Sequence, residues 1–192
     1  MQINKKRCEW CLKDPLYIQY HDNEWGMPIY DDRLLFEFLI LEGMQAGLSW
    51  FTILKKRDAF RQAFSNFDAK KIAKYDNKKI KALLKNAGII RHELKIKSVI
   101  ENAKTFLQIQ KEWPSFSDYI WHFVEGKPIQ NNWKSIKLVP DKTAISDAMS
   151  KDLKKRGFKF VGSTICYAFM QAVGMVNDHA VDCFRYKQVK NK

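Results

Sequence analysis

Apolar positions along this chain recur at helical spacing, and alternation is absent. After Asp31-Asp32, which can cap a helix, Leu34, Leu35, Phe38, Leu39 and Leu41 repeat at short helical intervals until Gly43 stops the segment. A second helix is predicted from Ser49, with Trp50, Ile53, Leu54 and Phe60 on one face. Asp76 caps KKIKALLKNAG, which ends at Gly88, and HELKIKSVIENAKTFLQIQKE follows with Leu94, Ile96, Val99, Ile100, Ala103 and Leu107 facing inward. Ser115 opens FSDYIWHFV, Ser146 opens DAMSKDLKKRG, and GFKFVGSTICYAFMQAVG reads as a glycine-bounded loop feeding an apolar helix. With neither β-branched alternation nor a repeat, the pattern predicts an all-α fold. The polar, proline-containing stretch 126–142 is too short to prove a domain boundary, so 1–192 is read as one domain.

Composition adds a core and a partner. Of 192 residues 46% are hydrophobic and 14% aromatic, enough to fill a compact interior. The 34 Lys and Arg against 21 Asp and Glu leave a formal charge of +13, which attracts polyanions, nucleic acid first among them. A lysine-rich surface also serves solubility, so charge alone does not decide. No apolar run approaches the roughly 20 residues of a membrane span, and MQINKKRCEW lacks the apolar core of a signal peptide. The expected location is the cytoplasm, where four cysteines are thiols or metal ligands sooner than disulfides.

The stretch RCEWCLKDPLYIQYHDNEW brings Cys8, Cys11 and His21 close in sequence, and NDHAVDCFRY supplies His179 and Cys183. The i, i+4 spacing of the last two puts them on one face of a helix or its last turn. Imidazole and thiolate together suit zinc. Spacing leaves two sets of four open, because Cys8 with Cys11 would also make a knuckle, and buried thiols with satisfied histidines are the metal-free alternative. A metal held by four protein ligands has no open position and would staple the two ends of the chain together.

Two further stretches carry possible chemistry. Gly157 and Gly162 allow a tight hairpin with outward backbone N–H groups at a helix N-terminus, and Lys154, Lys155, Arg156 and Lys159 supply counter-charge for a phosphate. In LEGMQAGLSW, Glu42 ends an apolar stripe, where a carboxylate is either solvent-exposed or has a purpose. Gly43 and Gly47 then flank a tip bearing Leu48, a candidate wedge between bases.

DPLYIQYHDNEWG, LEGMQAGLSW with FTILKKR, NAGIIRH, and KKRGFKFVGSTICY through QAVGMVNDH resemble the signature stretches of the 3-methyladenine DNA glycosylase I family, a zinc-containing branch of the helix-hairpin-helix glycosylases. The resemblance runs in order from about Cys8 to Cys183. It implies a two-lobed all-α fold with DNA crossing the cleft, a helix-hairpin-helix at about 146–174, and one structural zinc on Cys8, His21, His179 and Cys183, leaving Cys11 out. It further implies base recognition by Glu42, ionised at neutral pH, among Trp10, Tyr17, Tyr20 and Trp50. DNA contacts are implied for Gln45, Gly47, Leu48, Gly157, Lys159, Gly162 and Ser163. Met44 stands where the family commonly has glutamine, which shifts weight onto Gln45.

The expected activity is excision of 3-methyladenine from double-stranded alkylated DNA by a monomer. Strand-cutting relatives carry a lysine just past the hairpin; VGSTICYAF has Ser163 and Thr164 there, so water is the expected nucleophile and an abasic site the product. Neither Asp178 nor Asp182 is read as catalytic; Asp178 is expected to orient a ligand histidine or cap a helix. The rival reading is a zinc-stapled DNA-binding module without a reaction. An RNA-binding sheet is disfavoured by the absence of strand signals.

Overall fold

The structure is a computed structural model that describes residues 5–190. It is helical, as the spacing predicts. The helices are α1 (Pro15–Asn23), α2 (Asp32–Gln45), α3 (Trp50–Ala63), α4 (Ala69–Ile72), α5 (Asn77–Lys85), α6 (Glu93–Glu112), α7 (Phe116–Trp121), α8 (Ala144–Arg156), α9 (Ser163–Ala172) and α10 (Phe184–Lys190). No helix among the described residues is long and apolar enough to cross a membrane.

Helix α2 is the axis of the fold. It packs against α3, α6, α7 and α9, and every residue from Leu35 to Met44 is buried. A helix enclosed on all sides needs apolar residues all round, which Leu35, Phe36, Phe38, Leu39, Ile40 and Leu41 supply. Its first turn is fixed twice: Asp31 caps Leu34, and the Asp32 carboxylate accepts from the backbone of Phe116 and Ser117 and from Gln110, tying α7 to α2.

Several boundaries depart from the sequence reading, each for an identifiable reason. Gly43 does not stop α2, which runs on to Gln45. At Gly43 a Cβ would lie 3.2 Å from that of Phe160, so the glycine admits the turn between α8 and α9. Helix α5 ends at Lys85, not Gly88, because the Asn86 side chain turns back to accept from Gly88 N. Leu94 is exposed (66%); two residues before Ile96, it stands about 200° round the helix from the inward stripe. Helix α8 is capped by Thr143, and Ser146 is the reciprocal partner of that capping box, not the first residue. Helix α1, started by an Asp14 cap and Pro15, carries no apolar period that would have exposed it.

Two short strands also went unpredicted. Ile129–Gln130 pairs in parallel with Val176–Asn177, joining the stretch 126–142 to the segment after α9. Gly174, two residues before the second strand, adopts φ +75°, and a Cβ there would lie 2.4 Å from the Met27 carbonyl carbon and Pro28 nitrogen. Gly174→Ala is therefore expected to destabilise the protein by about 3 kcal/mol, from a left-handed backbone plus a clash with main chain that cannot rotate away. Thermal denaturation measures it; an unchanged Tm would mean that the Met27–Pro28 backbone yields freely.

Candidate functional site

Four helices and the N-terminal segment converge on a cavity of about 210 Å³. Trp10, Tyr17, Tyr20, Trp25 and Trp50 form its walls, with Glu42 and Gln45 from the end of α2. The rings brace one another: Trp10 meets Tyr17 and Trp25 edge-on at 4.7 and 5.0 Å, and Tyr20 lies 5.5 Å from Trp50. Ser49 caps α3 through Thr52 N and so places Trp50 at the first helical position, facing the cavity.

Helix α2 holds two buried carboxylates, and the contrast between them marks the site. Glu37 is fully buried and accepts from Arg57 at 2.9 Å and from Arg61 at 2.8 Å. Glu42 is equally enclosed (3% exposed), yet its Oε2 has no hydrogen-bond partner, and Trp50 Nε1 beside the same cavity has none either. Burial alone pushes Glu42 up to about 8. Its ionised form therefore needs a counter-charge that the protein itself does not provide. Burial, and then the Glu42 carboxyl nearby, push Tyr17 up to about 12, and the same causes hold Tyr20 well above its ordinary range, so both remain phenols. An orphaned acceptor and an orphaned donor among flat rings are complementary to a planar, nitrogen-rich, cationic guest.

The loop below the cavity is held from the side. Lys95, buried on α6, donates to the carbonyls of Met44 and Ala46 at 2.8 and 2.6 Å and so terminates α2. This fixes the turn in which Gly47 adopts φ +77° and Leu48 stands 42% exposed. Sequence reading missed Lys95, whose only signal was its place next to Ile96 on the inward side.

Gly157 (φ +110°) ends α8, Gly162 begins α9, and Asn102 of α6 clamps the turn between them, accepting from Lys159 N at 2.8 Å and donating to Lys159 O at 3.0 Å. Gly162 provides no side-chain cap, which leaves the first N–H groups of α9, beginning at Ser163, without a capping side chain. The turn and Gln45 approach the same end of α2, whereas the cluster of Cys8, His21, His179 and Cys183 lies on the other side of the aromatic wall, where Trp10 packs 5.4 Å from His21.

Cys8, His21, His179 and Cys183 are all buried, with ligand atoms within 4.8 Å of one another. Cys183 Sγ lies 3.4 Å from His21 Nε2 and 3.7 Å from His179 Nδ1, and Cys8 Sγ lies 3.7 Å from His179 Nδ1. Around a tetrahedral ion with Zn–S of about 2.3 Å and Zn–N of about 2.05 Å the sulfur–nitrogen edge is about 3.6 Å. The donor set therefore fits a metal, and the remaining ring nitrogens agree: His21 Nδ1 meets Asp22 at 2.8 Å and His179 Nε2 meets Trp25 O at 3.1 Å, freeing the inward nitrogen of each as ligand. Cys11 stands outside, its thiol donating to Cys8 O. His179 and Cys183 come together in a turn before α10, not on a helix. The orienting carboxylate is Asp22, while Asp178 touches neither histidine ring.

The methyladenine glycosylase family model matches residues 10–186. Among characterised relatives, a DNA-3-methyladenine glycosylase of Haemophilus influenzae is 52% identical over 177 residues, covering 92% of this chain and 96% of that one. DNA-3-methyladenine glycosylase 1 of Escherichia coli is 51% identical over 181 residues, covering 94% and 97%. A crystal structure of a 3-methyladenine DNA glycosylase I superposes with a TM-score of 0.91 at 53% identity, covering 93% and 98% of the two chains. The Staphylococcus aureus 3-methyladenine DNA glycosylase I, solved to explain 3-methyladenine recognition, gives 0.90 at 37% identity, covering 93% and 95%.

Proposed function

The chain belongs to the methyladenine glycosylase family, and from that premise we propose that it is a monofunctional DNA glycosylase that excises 3-methyladenine from alkylated DNA. The observation that carries this reading is the unpartnered Glu42 carboxyl enclosed by aromatic rings. A stacked base is out of reach, so the damaged nucleotide swings into the cavity. Methylation at N3 makes the base cationic: the rings attract it, and Glu42 gives up its proton to become the counter-charge. Water adds to C1′ and loses a proton, the N-glycosyl bond breaks, and its electron pair leaves with the base as neutral 3-methyladenine. An abasic site remains. Since the positive charge is already on the leaving group, the protein needs to supply little acid catalysis.

The chain acts as one cytoplasmic, monomeric unit whose helix-hairpin-helix at about 146–174 grips double-stranded DNA. The free N–H groups at Gly162 and Ser163, with Gly157 shaping the turn and Lys159 adding charge, face a phosphate. Leu48 on its Gly47 hinge fills the gap left by the everted base, and Gln45 contacts the strand beside it. One zinc ion, held by Cys8, His21, His179 and Cys183, joins the two ends of the chain and supplies no reacting group.

Incubating the protein with methylated duplex DNA and assaying free bases tests the reading. Release of 3-methyladenine with intact abasic strands is expected; tight binding with no base released would establish a binding module instead.

A further inference from the structure

Asp178 is buried, lies outside the mechanism above, and its carboxylate accepts hydrogen bonds from four different residues. Its Oδ1 accepts from Asn131 Nδ2 and Trp133 Nε1, both at 2.7 Å, and its Oδ2 from Tyr167 Oη at 2.7 Å and Gln171 Nε2 at 2.8 Å. Of these four partners only Gln171 also lines the aromatic cavity, together with Ala168 three residues earlier on the same face of α9.

That arrangement fixes which way the Gln171 carboxamide is turned. Oxygen and nitrogen of an amide are told apart by their partners, and a carboxylate receives hydrogen bonds, so the NH2 group is the end directed at Asp178. The carbonyl oxygen diverges from it by about 120° at the same sp² carbon and has no partner among the described residues. From the opposite wall Glu42 Oε2 and Trp50 Nε1 are likewise unpartnered. The cavity thus offers acceptors from two different helices, α2 and α9, and a donor from α3.

We infer that Gln171, oriented by Asp178, is a specificity-determining residue that accepts a hydrogen bond from the exocyclic amine of the everted base and thereby selects 6-amino over 6-oxo alkylated purines. The inference rests on the glycosylase reading above and deepens it. A 6-amino purine offers two N–H donors at that edge, whereas a 6-oxo purine turns a carbonyl toward the acceptors and leaves the Gln171 oxygen desolvated and unpaired. A site built around a substrate N–H rejects an analogue lacking it by about 100-fold or more, as the cost of one unpaired buried group requires.

The test measures binding of free 3-methyladenine and 3-methylhypoxanthine, its 6-oxo analogue, to the full chain by isothermal titration. Wild type is expected to prefer the amino base by about 100-fold, and Gln171→Met, close in volume but without an acceptor, to hold the two within about 3-fold. In Asp178→Asn the new amide can donate to the Gln171 carbonyl and free its NH2 for the cavity, so the preference is expected to vanish or invert. Should that variant not fold, Gln171→Met decides alone. A Gln171→Met protein that keeps the wild-type ratio, or loses affinity for both bases equally as a packing defect would cause, overturns the inference. Wild type binding neither base would overturn the parent reading first, a failure visible before any variant is made.

Discussion

Replacing Glu42 by Gln is expected to lower kcat/KM for 3-methyladenine release by about 10²–10³-fold, the usual cost of removing one preorganised charged group from a closed site. The substitution keeps the shape of the side chain and removes only its ability to become an anion, so the loss reads the ion pair and not the packing. Glutamine also gives up discrimination between the methylated and the ordinary base. The pH dependence follows from burial, which raises Glu42 from its ordinary 4.5 to about 8. The free enzyme must lose that proton to meet a cation, so kcat/KM is expected to climb between pH 6 and 8 in the wild type and stay flat in the variant. Stability moves the other way. The folded chain keeps its proton at Glu42 up to about pH 8, where the unfolded chain has released it above about 4.5, so wild-type stability declines as pH rises through that window. Glu42→Gln escapes the decline, and its gain over wild type is expected to grow from nothing near pH 4 to on the order of 3 kcal/mol by pH 8. Base-release kinetics and melting curves across pH check both halves. A variant that retains wild-type selectivity, or is less stable than wild type at pH 8, would remove Glu42 from its role.

What the sequence made legible, and what it hid, follows from the range of each interaction. Helix positions were readable because caps and periodicity are local: Asp31, Ser49, Asp76 and Ser115 all cap where their side chains suggested. Ends were misjudged where a distant element intervened, as at Gly43, whose reason is Phe160 across the fold. Helix α1 was hidden because its residues are divided between the cavity (Tyr17, Tyr20) and the metal cluster (His21), a division that leaves no apolar stripe. The candidate metal-binding set was visible as chemistry but not as a unique choice; the contact of the Cys11 thiol with the Cys8 carbonyl has no sequence signature. Glu42 stood out because a carboxyl in an apolar run costs energy, yet whether it was paired like Glu37 or orphaned depended on Arg57 and Arg61, one turn apart on another helix. Gln171 gave no signal, since its meaning comes only from Asp178 holding one end of its amide.

Removal of the proposed zinc is expected to have the largest effect on stability. The cluster links the segment before α1 to the turn before α10, so it closes a loop of nearly the whole chain, with Cys8 and His179 separated by 171 positions. Such a closure restricts the unfolded state severely, and structural zinc contributes about 10–16 kcal/mol of apparent binding free energy in small domains, comparable with the whole 5–15 kcal/mol stability of an ordinary protein. Cys183→Ser, or a strong chelator acting on wild type, is therefore expected to lower Tm by more than about 10 °C and to release one equivalent of metal. The aromatic cavity should fail with it, because Trp10 packs against His21 and Trp25 against His179 at 4.6 Å, so two of its walls are seated on ligand side chains. Cys11→Ser separates this account from its closest rival. If the thiol only donates to Cys8 O, the serine variant keeps its metal and loses about 1 kcal/mol or less. Elemental analysis of both variants reads the difference directly: a Cys11→Ser protein without metal, or a wild-type protein purified with well under half an equivalent per chain and melting unchanged in chelator, would dismantle the staple, and with it the reason these four side chains meet in the interior at all.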